Sequence, residues 1–117
     1  MSDIDTLAAR HCKPLQGEEQ RLAPEILAEA LPSLRGWQVD ESDSALVKTF
    51  QFADYYHTIA FVNALAYVAH RENHHPDLGV YYNRCVVRFS THDAGGITSN
   101  DLICAAKAER LFADSAE

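Results

Sequence analysis

Hydrophobic positions along the chain follow two different periods, three to four residues in some segments and two in others. A spacing of three to four residues predicts a helix that buries one face, whereas alternation predicts a strand with one buried face. The helical spacing occupies three segments, at about residues 24–34, 54–73 and 98–112. Thr98 and Asp101 have the spacing of a capping box at the start of the third. The strand-like pattern occupies four shorter segments, at about residues 37–40, 45–52, 78–82 and 85–91.

The four predicted strands form two hairpins, which the long middle helix separates. Antiparallel strands can be joined by short turns, and a sheet with one apolar face must bury that face against another layer. The order helix, strand, strand, helix, strand, strand, helix therefore predicts an α+β domain. We expect one four-stranded antiparallel sheet with the helices packed on one face.

The first 20 residues differ from the rest, because they are polar and carry only weak periodicity. They predict an N-terminal arm, residues 1–20, that folds against the domain or frays. Residues 21–117 are expected to form a single domain. A chain of 117 residues has the usual size of one domain, and 47% hydrophobic residues are enough for an ordinary core.

The charge balance excludes some classes of partner. The formal net charge is −7 at pH 7, and the ten Lys and Arg residues are scattered. Polyanions are held by clustered basic side chains, so we expect neither nucleic acid nor a membrane as a partner. No apolar run approaches the roughly 20 residues of a membrane-spanning helix, and the first residues lack a secretion-signal pattern. A cytoplasmic location with three free cysteine thiols is the resulting expectation.

Four of the six histidines lie between residues 70 and 92. His74 and His75 directly precede Pro76, which cannot continue the middle helix, so the chain must leave the helix close to them. His92 follows at the end of the last predicted strand. Histidine is the side chain whose unperturbed pKa lies closest to neutrality, so this cluster favours acid–base chemistry near pH 7.

Two other interpretations of these histidines stay open. An imidazolium at a helix C-terminus interacts favourably with the helix dipole, so any single histidine here can be a polar helix end and nothing more. His70 and His74 are four residues apart on the predicted helix, and four histidines suffice to ligate zinc. The neighbouring glutamate does not stand where an H-E-x-x-H motif requires it, so the metal interpretation ranks below acid–base chemistry.

The stretch from residue 72 to residue 101 resembles the pterin-4a-carbinolamine dehydratase family. The resemblance rests on E-N-H-H-P-D-L, on Y-N-R after it, and on S-T-H-D-A-G-G-I-T followed by Asp101. It extends back through Gly36-Trp37 and T-F-Q-F-A-D-Y-Y-H, and it covers about residues 20–112. His-His-Pro alone is a weak motif, but its combination with Thr91-His92 and Asp101 is specific.

The resemblance implies a fold, a reaction and a set of partners. Family members have a helix-covered antiparallel sheet and act as homodimers or homotetramers. They remove water from 4a-hydroxytetrahydropterin to give quinonoid dihydropterin, which recycles the cofactor of phenylalanine hydroxylase and related aromatic amino acid hydroxylases. The pterin is the substrate in this reaction, so neither a separate cofactor nor a metal is expected.

The resemblance also implies the site residues. The three active-site histidines of the family fall on His74, His75 and His92. The substrate-binding positions expected around them are Trp37, Thr91, Pro76 and Asp101. In our hypothesis His74 and His92 exchange the two protons of the reaction. His75 then binds and orients the pterin, and Asp101 sets the surroundings.

Two positions depart from the family pattern. His70 stands where many relatives carry a glutamate, which puts a carboxylate role at that position in doubt. Leu78 replaces a tryptophan of the animal members, and this change should leave catalysis intact.

A protein-binding function is the alternative. Animal members of the family also act as dimerisation cofactors for a homeodomain transcription factor. A transcriptional cofactor of this kind needs a protein partner and depends little on its histidines. The pterin reaction, in contrast, depends on them directly.

Overall fold

The structure is a computed structural model, and it describes residues 3–40 and 44–115. Within these ranges the helices are α1 (Ile4–Ala9), α2 (Pro24–Ala30), α3 (Tyr55–Glu72) and α4 (Ser99–Ser115). The strands are β1 (Gln38–Asp40), β2 (Ala45–Gln51), β3 (Asp77–Val80) and β4 (Arg84–Phe89). No helix formed by the described residues is long and apolar enough to cross a membrane.

The four strands form one antiparallel sheet in the order β1-β2-β4-β3. Each predicted hairpin is present, and the two hairpins join through β2 and β4 in the middle of the sheet. In this central pair Leu46 lies opposite Phe89, and Phe50 lies opposite Cys85. The predicted α+β architecture is therefore confirmed.

Helices α3 and α4 cover one face of the sheet. Alternation along β4 directs every second side chain towards these helices, so the buried and partly buried positions alternate. The covered face and the two helices supply the largest buried side chains, which include Leu46, Phe50, Phe61, Leu65, Val87, Phe89 and Ile103. The three helices that the apolar spacing predicts are all present.

The N-terminal segment lies against the domain from residue 3 onwards. Its helix α1 places Leu7 in the core with 1% of its surface exposed. The Asp3 carboxylate accepts a hydrogen bond from the Thr6 N–H and so caps the helix. Lys107 on α4 donates to the Ala8 carbonyl. Helix α1 was not predicted, since six residues with so few apolar positions carry too little local signal.

The end of α3 determines where the adjacent histidines lie. Asn73 adopts the left-handed conformation, with φ 52° and ψ 43°, which asparagine tolerates better than most residues. The N–H groups of Asn73 and His74 then return to the carbonyls of His70 and Ala69. This hydrogen-bonded turn ends the helix and directs the chain into β3. The predicted exit close to His74 is therefore confirmed.

Candidate functional site

One cleft of about 530 Å³ gathers the histidine motifs. It lies between the end of α3, the turn after β4, the start of α4 and part of the N-terminal segment. Its lining includes His74, His75, Thr91 and His92. The fold thus brings together all three histidines that the resemblance marks as catalytic.

His74 lies at the closed side of this cleft. Its side chain is 11% exposed, and its Nε2 lies 2.6 Å from Oδ1 of Asp101. The imidazole is nearly parallel to the ring of Phe89, with an interplanar angle of 9° and centroids 6.1 Å apart. A core ring and a buried carboxylate therefore fix both the position and the rotation of this histidine.

Asp101 is fully buried and accepts hydrogen bonds at both oxygens. Oδ2 accepts the backbone N–H of Thr98 and the hydroxyl of Thr91, each at 2.8 Å. The Thr98 hydroxyl oxygen accepts the Asn100 N–H at 3.2 Å, which completes the reciprocal cap at the start of α4. The capping box predicted from Thr98 and Asp101 is therefore present.

The proton order in this network follows from its donors. Because Thr91 donates its proton to Asp101, the 2.6 Å contact between the two threonine hydroxyls requires Thr98 to donate to Thr91. The Thr98 N–H and the Thr91 hydroxyl both point their protons at Oδ2, an arrangement that fits an ionised carboxylate. The remaining oxygen then accepts Nε2–H of His74. This leaves Nδ1 of a neutral His74 able to take a proton.

His75 and His92 lie on the open side of the cleft, and both are exposed. His92 begins a short 3-10 turn that ends at Gly95. Gly95 has φ 73°, a value that glycine adopts without strain, and its N–H bonds to the carbonyls of Thr91 and His92. The turn lets Thr91 pair with Gly96 at 2.9 Å, so the same loop holds Thr91 inward and His92 outward.

Three of the expected substrate-binding residues do not line the cleft, namely Trp37, Pro76 and Asp101. Trp37 is 4% exposed and packs in the core against Phe50 and Phe89, with ring centroids 5.9 and 6.1 Å apart. Phe89 contacts both Trp37 and His74, so the indole lies behind the histidine that faces the cleft. Pro76 is half-buried at the start of the β3 hairpin. A substrate-binding role for any of these three residues stays a prediction.

Metal and thiol chemistry find little support in the geometry. Across residues 3–40 and 44–115, no three His, Cys, Asp or Glu side chains gather in a way that could hold a metal ion. His70 is exposed on α3 and does not line the cleft. Burial raises the pKa of the Cys85 thiol to about 11. The hydrogen bond with Cys12, together with burial, raises the pKa of the Cys104 thiol.

The sequence motifs did not predict one side of the cleft. Residues 12–15 of the N-terminal segment line it, together with Glu72 and Asn100. The motif E-N-H-H-P contains Glu72, but it does not indicate which residue Glu72 contacts. Its carboxylate, 7% exposed, accepts the Cys12 N–H at 2.7 Å and faces His11 Nδ1 at 2.8 Å. Burial alone would raise the pKa of Glu72, but the hydrogen bonds from Cys12 and His11 outweigh it and lower the pKa.

Comparison with known proteins identifies relatives of this chain. A family model described as pterin 4 alpha carbinolamine dehydratase matches residues 20–111. A provisionally named pterin-4-alpha-carbinolamine dehydratase from Xanthomonas oryzae pv. oryzae (strain MAFF 311018) is 58% identical over 112 residues. That alignment covers 96% of this chain and 95% of the relative. A protein of the same name from Xanthomonas campestris pv. campestris (strain B100) matches with the same identity and coverage.

Solved structures share the fold. A transcriptional coactivator/pterin dehydratase from Brucella melitensis is 33% identical, with a TM-score of 0.75. The match covers 78% of this chain and 97% of the Brucella chain. A pterin dehydratase-like protein described as a RuBisCO assembly factor of the alpha-carboxysome is 24% identical, with a TM-score of 0.58. It matches 66% of this chain and 89% of its own, and it shows the fold alone.

Proposed function

The chain belongs to the pterin-4a-carbinolamine dehydratase family, and from this premise we propose that it removes water from a 4a-hydroxytetrahydropterin. The product is the quinonoid dihydropterin. One observation carries the proposal: His74, His75 and His92 line a single cleft, and a buried carboxylate holds the first of them.

The reaction needs two proton transfers and no covalent intermediate. The bond between C4a and the hydroxyl oxygen breaks, and the departing oxygen takes a proton and leaves as water. N5 loses its proton, and its electron pair forms the new double bond to C4a. An acid and a base positioned at the same substrate therefore suffice, and histidine can serve as either near neutral pH.

We assign the base to His74 and the acid to His92. A base becomes an imidazolium when it takes the N5 proton, and Asp101 at 2.6 Å from Nε2 stabilises that cation. His92 is exposed, so it can recover its proton from water after donating to the departing hydroxyl. His75, also on the open side, binds and orients the pterin.

The biological setting is part of the proposal. The product can be reduced again to the tetrahydropterin cofactor, so the enzyme recycles the pterin of phenylalanine hydroxylase or a related hydroxylase. Self-association as a homodimer or homotetramer and a cytoplasmic location complete this proposal. The Brucella relative is described as a transcriptional coactivator as well as a dehydratase. A coactivator function in this chain would depend on a protein partner and not on the three histidines.

The direct test measures the dehydration of freshly generated 4a-hydroxytetrahydropterin in the presence of a metal chelator. Absorbance is used to follow the reaction. We expect acceleration over the spontaneous reaction that the chelator leaves unchanged. The variants His75→Ala and His92→Ala should lose most of that acceleration. A wild-type rate equal to the spontaneous rate would refute the enzyme proposal, and a pull-down for protein partners would then follow.

A further inference from the structure

One part of the cleft wall comes from outside the family domain. The family model begins at residue 20, whereas residues 12–15 line the cleft. We call residues 12–15 the wall segment. The alignment with the Xanthomonas oryzae relative covers 112 of the 117 residues, so it includes most of the first 20. The segment therefore lies within the span that aligns with this relative but outside the range that the family model matches.

Asn100 fixes the backbone of the wall segment. Its Oδ1 accepts the Lys13 N–H at 3.2 Å, and its Nδ2 donates to the Lys13 carbonyl at 2.7 Å. The side chain of Asn100 thus satisfies both peptide groups of one residue, as a neighbouring strand would. Asn100 is 4% exposed, and a buried amide is unfavourable without such partners. The two hydrogen bonds therefore hold the backbone of Lys13 in one place.

Glu72 is the second anchor. Its buried carboxylate accepts the Cys12 N–H at 2.7 Å. The Cys12 Sγ lies 3.5 Å from Cys104 Sγ and 3.6 Å from the Asn100 carbonyl oxygen, so its thiol points into the domain and not into solvent. Two residues beyond the wall segment, the Gly17 N–H donates to the Asp93 carbonyl at 3.1 Å and ties the chain to the loop of His92.

Both anchors are immediate neighbours of the catalytic network. Glu72 precedes His74 by two residues, and Asn100 directly precedes Asp101. The ends of α3 and α4 that bring His74 and Asp101 to 2.6 Å therefore also set the distance to the wall segment. Packing of α1 on α4 needs none of these buried polar contacts, because Leu7 and its apolar neighbours provide it.

We infer that the wall segment is a substrate-binding element of the dehydratase site, with Lys13 as its specificity-determining residue. Lys13 is an exposed cation that lines the cleft. Its ammonium donates to the carbonyl oxygen of the pterin, which is an acceptor, while the histidines carry out the proton transfers. This inference rests on the proposed function. It assigns Lys13 and the wall segment to binding and leaves the proton transfers to His74 and His92.

Lys13→Ala tests the inference through the separation of KM from kcat. We expect KM to rise roughly tenfold, because the variant loses one hydrogen bond from a charged donor. The kcat should stay within about twofold of wild type. Arg10→Ala is the matched control, because it removes the same charge from the same arm at an exposed position that does not line the cleft. An unchanged KM in Lys13→Ala, or an equal rise in both variants, would overturn the inference.

A second readout needs no catalysis. Binding of the stable analogue 7,8-dihydrobiopterin should slow alkylation of Cys12 by iodoacetamide, because reaching this inward-pointing thiol requires the wall segment to lift. Lys13→Ala should weaken binding of the analogue, and Arg10→Ala should not. Pterin binding that leaves the alkylation rate unchanged would overturn the inference and leave the proposed function standing. If the wild type neither binds the pterin nor accelerates dehydration, the proposed function itself is overturned.

Discussion

The two sides of the cleft hold the same residue type in opposite surroundings. On the closed side, His74 is 11% exposed and paired with a fully buried carboxylate. On the open side, His75 and His92 are exposed on loops. These different neighbours are the reason why we propose different protons for His74 and His92.

The polar atoms of the closed side satisfy one another's hydrogen bonds. Asp101 accepts from Thr98, Thr91 and His74, and the two threonine hydroxyls bond to each other. A buried network of this kind is stable only when it is complete, since each unpaired member costs its full desolvation. The open side carries no such constraint. A change there should affect activity alone, whereas a change on the closed side should affect folding as well.

The largest expected difference separates His74→Ala from His92→Ala. Each variant should lower kcat by roughly 10²–10⁴-fold, the usual contribution of one acid or base. His74→Ala also leaves Oδ1 of Asp101 buried without its partner, which should lower the free energy of unfolding by roughly 2–3 kcal/mol. His92 is exposed, so His92→Ala should change it by less than about 0.5 kcal/mol. Steady-state kinetics and urea denaturation of both variants measure these effects.

The same pair of variants can contradict the comparison. Equal losses of stability would mean that His74 does not complete a buried network. A normal kcat in His74→Ala would remove it from the proton transfers. His57→Ala is a suitable control, because His57 also pairs with an aspartate, Asp54 at 2.7 Å, but lies on α3 with about half of its side chain exposed. It should keep both activity and stability close to wild type.

Asp101→Asn tests how the closed side controls the tautomer of His74. The amide oxygen of asparagine can still accept from Thr98 and Thr91, so its NH₂ group must face His74 Nε2. His74 then carries its proton on Nδ1 and can no longer accept one there. We expect kcat to fall roughly a hundredfold with KM little changed. A wild-type kcat would show that the pair at 2.6 Å does not set the tautomer.

Thr91→Val and Thr91→Ser separate the hydroxyl from the side-chain volume. Valine keeps the shape but removes the donor to Asp101 and the partner of Thr98. We expect the free energy of unfolding to fall by roughly 2 kcal/mol, because both buried partners lose a hydrogen bond. Serine keeps the hydroxyl and should recover more than half of this loss. Thermal unfolding measures both, and a valine variant at least as stable as the serine variant would show that the hydroxyl does not carry the effect of Thr91.

Much of the fold could be predicted because its signals are local. The helical and alternating periods of the chain are properties of neighbouring residues, and so are the exit before Pro76 and the cap from Thr98 to Asp101. The 2.6 Å pair of His74 and Asp101 is different, since 27 positions separate its members. Periodicity does not address contacts of this kind. Only the family resemblance placed both residues in one site.

The placement of the N-terminal segment could not be predicted from the sequence for the same reason. A helix of six residues has too few turns to be stable alone, so α1 exists because Leu7 packs into a core built by the rest of the chain. The contact between Glu72 and Cys12 spans 60 positions. Trp37 shows the opposite case, because the resemblance implied a role beside the pterin and the fold places its indole in the core. Where a side chain points is decided by packing.

Glu72 extends the comparison to a second buried carboxylate, and it carries the smallest expected effect. Burial opposes its ionisation, but the hydrogen bonds from Cys12 and His11 outweigh burial and lower its pKa, so it stabilises the fold as an anion. That contribution is complete above its ordinary pKa of 4.5 and is lost as the pH falls through the lower pKa of the folded state.

Glu72→Gln keeps an acceptor for Cys12 but loses the charge, so it should cost roughly 1 kcal/mol at pH 7. The difference in stability between the Glu72→Gln variant and wild type should shrink on acidification, as urea denaturation at pH 7 and below pH 4 can measure. A difference in stability that does not change with pH would mean that Glu72 works through hydrogen bonding alone and that its charge contributes nothing.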